Sequence, residues 1–225
     1  MEYILEYLLE LLLCLPAVLV ALTFHEVAHG FVAYKLGDPT AKHMGRLTLN
    51  PIKHIDPIGA FCMLFLRFGW AKPVPINTRF FKKPKRDMAL TALAGPLSNL
   101  ILAFFGCFVY SLTLRFLPGF THESFSYWLA FVWVNIVYYF AWLNISLAIF
   151  NLIPLPPLDG SRIFLSMLPE RQYFKVMRYE REIAVGFMLV LLLDSRLLGG
   201  YITGALSFVV NLIFNGMMSF YGLFL

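Results

Sequence analysis

The chain has 225 residues, enough for one compact domain and too few for two of ordinary size. Its hydrophobic fraction is 60% and its charged fraction 14%, against about 45–50% and about 25% in soluble domains, so a water-soluble fold is excluded and a polytopic membrane protein is expected. The net charge of +5 is distributed between apolar stretches instead of gathered in one patch. It reads as topology signals and contacts with anionic lipid, with no nucleic acid as partner.

The N-terminus, "MEYILEYLLELLLCLP", carries three Glu and no basic residue ahead of its apolar run, which predicts a retained span instead of a cleaved secretory signal. Glu2, Glu6 and Glu10 fall on one helix face at the entry to this span, expected over about residues 8 to 34. Residues 35 to 87 are rich in Pro, Gly and basic side chains. Within them "GRLTLN" alternates polar and apolar, and "IGAFCMLFL" is too short to cross a bilayer as a helix. Together they predict a small membrane-re-entrant β-hairpin, which is tolerated at depth where protein or a wet cavity covers it.

Further spans are expected at about residues 88 to 114 and 126 to 150, joined by a short loop with Arg115, Pro118 and Gly119. "NLIPLPPLDGSR" follows, then a basic amphipathic stretch to residue 182. The tail from Ile183 is apolar but broken by "DSR" and "GG", which leaves open one span after a partly buried helix or a hairpin of two. The expected fold is α-helical and polytopic, with about four to six transmembrane helices. A single domain, 1–225, would have a catalytic core at about 8–165 and a helical segment at 166–225. Cys14, Cys62 and Cys107 lie in apolar surroundings with no CxxC spacing and read as packing residues.

Eleven Lys and Arg lie between Lys35 and Arg86 and five between Arg162 and Arg181, whereas the loop between the second and third spans has only Arg115. The positive-inside rule then puts the first two loops in the cytoplasm and the N-terminus outside. The ends of spans one and three fall on the same side, so two distant polar motifs can meet.

The first motif is "FHEVAHGF", residues 24 to 31. Ionisable side chains inside a span are costly and mark function. HExxH on a helix sets His25 and His29 one turn apart, both able to reach one metal. Glu26 lies about 100° round the helix, placed to serve as general base toward a water that zinc acidifies. The structural alternative is a pair of core histidines with Glu26 as a helix-surface charge. A catalytic zinc needs a third protein ligand. Asp159 is the best acid, held by Pro154, Pro156, Pro157 and Gly160 in backbone that resists regular helix; a helix-capping role is its alternative.

The pairing of HEVAH with "NLIPLPPLDG" resembles the site-2 protease family of intramembrane zinc metalloproteases, whose second motif is N-x-x-P-x-P-x-L-D-G. Asn151, Pro154, Pro156, Leu158, Asp159 and Gly160 match every fixed position. "AGPLSN" at 94 to 99 and "GRLTLNPIKHIDPIG" at 45 to 59 are also similar to short members, and the resemblance spans residues 20 to 165. It implies one Zn2+ held by His25, His29 and Asp159, Glu26 as general base, and a re-entrant hairpin near the active site. It further implies that Asn151 and Asn99 face the substrate. His54 is a candidate lining residue.

The expected activity is hydrolysis of a peptide bond in the transmembrane helix of a substrate protein, in a bacterial or archaeal cell membrane and toward the cytoplasm. An edge strand of the hairpin would pair with the unwound substrate. Larger members carry an extra peptide-binding or nucleotide-sensing domain for which this chain has no room, so regulation would fall to a membrane partner or to prior trimming of the substrate. Two rivals stand beside this reading: a metal-binding transporter or silent scaffold, and another membrane zincin with Glu180 or Glu182 as third ligand.

Overall fold

The computed structural model describes residues 2–66, 69–116, 125–197 and 200–224. Three long helices form its centre: α1 (Glu2–Lys35), α4 (Pro84–Phe116) and α5 (Phe125–Asn151), each packed on the other two. Between α1 and α4 lie α2 (Thr40–His43) and α3 (Pro57–Leu66); after α5 come α6 (Asp159–Leu165), α7 (Glu170–Arg178), α8 (Glu180–Leu197) and α9 (Tyr201–Gly222). Four of these helices are long and apolar enough to cross a membrane, over Leu5–Lys35, Pro84–Phe116, Ser126–Asn151 and Tyr201–Gly222. Pro16 in α1 and Pro96 in α4 sit inside helices, as spans permit when neighbours re-satisfy the freed backbone. The protein is a multi-pass membrane protein.

Small residues bring the central helices together. Ala103 and Cys107 of α4 meet Ala141 and Ile145 of α5 in a core completed by Val210, Phe214 and Tyr221 of α9. A Cβ on Gly106 would lie 3.1 Å from the Ala141 backbone. Close approach of this kind replaces the hydrophobic drive that lipid does not supply. Tyr221 carries its hydroxyl to the Phe104 carbonyl, 2.9 Å away, while Ile101, Phe105, Phe208 and Leu212 face outward.

The region after α1 differs from the expected β-hairpin. Among the described residues there is no strand, only one antiparallel bridge between Ile55 and Ala71, continued by Lys72 N–H donating to the His54 carbonyl at 2.9 Å. "GRLTLN" forms bends, "PIGAFCMLFL" is the helix α3, and residues 72–77 return as extended chain. The physical reason is donor supply: Pro51, Pro57, Pro73 and Pro75 remove the amides a ladder would need, so an apolar decapeptide satisfies its backbone internally. Among the described residues the edge strand expected for substrate pairing is absent with it.

At the C-terminus the choice left open by hydropathy resolves into α8, which carries Glu180, Arg181, Glu182, Asp194 and Arg196 and is no candidate span, followed by α9, which is one. Buried Asp194 accepts from the amides of Ile202 and Thr203 at 3.1 and 2.9 Å. Those bonds hold its carboxyl below the ordinary range, chiefly the Thr203 amide, against the opposing effect of burial. The loop containing Pro118 and Gly119 lies outside the described residues.

Candidate metal centre

His25 and His29 sit one turn apart in the second half of α1, with side chains buried between α1 and α4. Asp159 opens α6 immediately after the Pro-rich turn, and α6 packs on α4. Gly160 is what lets that junction close. A Cβ there would collide with the carbonyls of Leu152 and Ile153 at the end of α5, so the residue after Asp159 has to be the smallest.

The three side chains converge. His25 Nε2 and His29 Nε2 lie 3.1 and 3.2 Å from Asp159 Oδ2 and 3.0 Å from each other. All three donor atoms fall within 4.8 Å, the only such group of His, Cys, Asp or Glu among the described residues.

Hydrogen bonds on the far side of each ring assign the protons. His29 Nδ1 is 2.7 Å from the Thr91 carbonyl, which can only accept, so Nδ1 carries the hydrogen. His25 Nδ1 is 2.6 Å from Asn99 Oδ1 and donates likewise. In the neutral rings both Nε2 atoms therefore present lone pairs to the carboxylate. Asp159 Oδ2 is itself buried with no hydrogen-bond partner. Burial works against an ionised Asp159, but the two imidazoles outweigh it when positively charged and hold the carboxyl well below the ordinary range. Three electron-rich atoms facing one another need a cation, and the set suits a divalent metal with nitrogen and oxygen preferences.

Gly95 forms the floor of this centre. A Cβ at that position would lie 2.6 Å from His25 Cε1 and closer still to His29 Nε2. The adjacent Pro96 lacks an N–H and crowds the carbonyl one turn back, loosening α4 near the carbonyl of Thr91 that meets His29.

Glu26 stands beside the cluster, half-buried. Its Oε2 accepts the Val74 amide at 2.7 Å, so the extended return of the 44–80 region is clamped onto α1. Gly30 allows this approach, because a Cβ there would lie 2.7 Å from Leu47 and 3.0 Å from Val74.

None of the remaining predicted residues adds a donor to the cluster. Asn99, expected to face substrate, is fully buried behind His25, and its Nδ2 donates to the Ala21 carbonyl at 3.2 Å and Asn144 Oδ1 at 2.9 Å. Asn151 donates to the Leu147 carbonyl one turn back on α5, 2.9 Å away. His54 is buried in the 44–80 region with Nε2 on the Thr48 carbonyl at 2.8 Å and Nδ1 unpartnered. Glu180 pairs with Arg162 at 2.6 Å and Glu182 is exposed, so neither acid joins the imidazoles. Asn144, overlooked in the sequence, reaches the cluster through Asn99. The signal available was a polar amide within an aromatic span that also holds Asn135 and Ser146.

The family model described as peptidase family M50 matches residues 13–193. The chain is 44% identical over 210 residues to a protein of Bacillus subtilis named "Putative zinc metalloprotease YwhC", covering 90% of this chain and 89% of that one. It is 30% identical over 190 residues to Rip2 of Mycobacterium tuberculosis, which bears the same zinc metalloprotease description, covering 81% and 67%. No solved structure matches significantly.

Proposed function

Because the chain belongs to peptidase family M50, the family of the site-2 proteases, we propose that it is a zinc-dependent intramembrane endopeptidase acting on the transmembrane helix of another membrane protein. The observation that carries the reading is the meeting of the unpartnered Asp159 oxygen with His25 and His29, which lie inside the candidate span of α1. Two imidazoles and a carboxylate are a zinc donor set that leaves a coordination position open. When bound, zinc supplies Lewis-acid polarisation of a carbonyl and brings the acidity of water toward neutrality.

The chain's own residues then do the following. Glu26 is fixed by the Val74 amide on one oxygen, and a carboxylate has acceptor capacity beyond that bond. It takes a proton from the attacking water and delivers it to the amide nitrogen as the C–N bond breaks. His25 and His29 remain oriented by Asn99 and the Thr91 carbonyl. The substrate helix has its carbonyls engaged in i to i−4 bonds and must unwind locally to present one. The basic loops support a site toward the cytoplasm and an N-terminus outside; the reading includes a bacterial or archaeal cell membrane and regulation by a membrane partner.

The test compares wild type with Glu26→Gln in liposomes, for bound zinc and for cleavage of a panel of single-span proteins. Retained zinc with cleavage reduced about 10²- to 10⁴-fold supports the reading; equal cleavage by the variant overturns it. Zinc held by both without any cleavage favours a metal-binding transporter or scaffold.

A further inference from the structure

We infer that Asn144 of α5 is a positioning residue for the metal centre, fixing through Asn99 the ring tautomer of His25 that turns the Nε2 lone pair toward His29 and Asp159. The inference rests on the proposed metal-binding role of that cluster. Asn144 lies on a third helix and touches none of the three candidate ligands, yet a directed chain of hydrogen bonds connects it to one of them.

The direction of the chain is set at its far end. Asn144 Nδ2 is 2.8 Å from the Phe140 carbonyl, which only accepts, so the amide nitrogen must face it. Asn144 Oδ1 therefore faces Asn99 and accepts from its Nδ2 at 2.9 Å. The Ala21 carbonyl, 3.2 Å from the same Nδ2, is a second and longer contact that the same orientation satisfies. Asn99 Oδ1 is left to accept from His25 Nδ1 at 2.6 Å. Reversing either amide would set oxygen against oxygen. Asn99 and Asn144 are both 0% exposed, so no solvent competes for their groups and each unmade bond would carry its full desolvation cost.

Replacing Asn144 by Leu removes the acceptor that helps hold the Asn99 amide. That amide is then held by the longer Ala21 contact alone, and the acceptor for the Nδ1 hydrogen of His25 is less firmly fixed. Partners that orient a metal-ligating histidine typically contribute about ten- to hundredfold in metal affinity.

The experiment measures zinc affinity by chelator competition on the full-length chain in detergent, for wild type, Asn144→Leu, Asn144→Ser and Ile145→Ala. Ile145 is the equally buried neighbour of Asn144 and reports the effect of disturbing α5 alone. Nitrogen-15 NMR of the zinc-loaded protein follows the His25 Nδ1–H resonance, which a hydrogen bond to Asn99 shifts downfield. The expected result is zinc affinity about tenfold or more weaker in Asn144→Leu, loss of the shifted resonance, and affinity close to wild type in Ile145→Ala. Asn144→Ser decides the matter if Asn144→Leu does not fold. Affinity unchanged in a folded Asn144 variant, or weakened equally in Ile145→Ala, overturns the inference. Failure of the wider reading looks different: wild type itself holds no zinc that His29→Ala releases.

Discussion

Two regions of the molecule bury histidine, and they bury it differently. In the α1, α4 and α5 layer, His25 and His29 bond to groups 74 and 62 residues away, and their free nitrogens turn toward a common point. In the 44–80 region, His54 bonds to a carbonyl six residues away and leaves Nδ1 alone. A local bond of that kind fastens a loop. Bonds brought in from a neighbouring helix aim a ring, and the aim is worth its desolvation only where something is to be bound.

The sharpest way to break the contrast is Asp159→Ala, which removes the one acid of the cluster. Zinc retention after dialysis should be lost and cleavage with it, while the zinc content of Glu180→Ala stays at the wild-type level. Gly95→Ala should follow closely, because its methyl would press on both imidazoles; overpacking costs about 1–3 kcal/mol, and competition with a chelator should show zinc weakened more than thermal stability falls. His54→Leu tests the other region. It should reduce stability by about 1 kcal/mol through the lost Thr48 bond while leaving zinc affinity unchanged, and a drop in affinity comparable to Gly95→Ala would erase the distinction drawn between the two sites.

The smallest effect concerns acid. The native Asp194 carboxyl is held below its ordinary value, so its contribution is fully present above the unfolded value, near pH 4, and is lost as pH falls through the native one. Melting temperature should therefore fall on acidification below about pH 4 less steeply in Asp194→Asn than in wild type, with zinc release unaffected.

The parts of this molecule that were legible in the sequence are those whose chemistry is dense in a short window. HEVAH brings two imidazoles and a carboxylate into five residues, and the Pro and Gly around Asp159 announce irregular backbone. Charge asymmetry and hydropathy located the first three spans. The 45–80 segment misled because alternation in "GRLTLN" was weighed without counting the amides that Pro51, Pro57, Pro73 and Pro75 withhold. Asn144 was invisible for a different reason: it is one of two asparagines in "WVNIVYYFAWLNISLAIF", and only the packing of α5 on α4 gives it a partner outside its own helix. Asn99 was expected to face the substrate and its bond to His25 Nδ1 was not foreseen, since sequence spacing carries no information on which face of α4 meets α1.

The extended stretch clamped to Glu26 has one more property. A strand left bare beside a reactive carboxylate would invite a foreign chain to lie along it. Here Pro73 and Pro75 have no amide hydrogen to offer, and the Val74 hydrogen is already given to Glu26. Over those three residues the backbone has acceptors alone, so the chain has capped its own adhesive edge at the place where a stray pairing would most obstruct it.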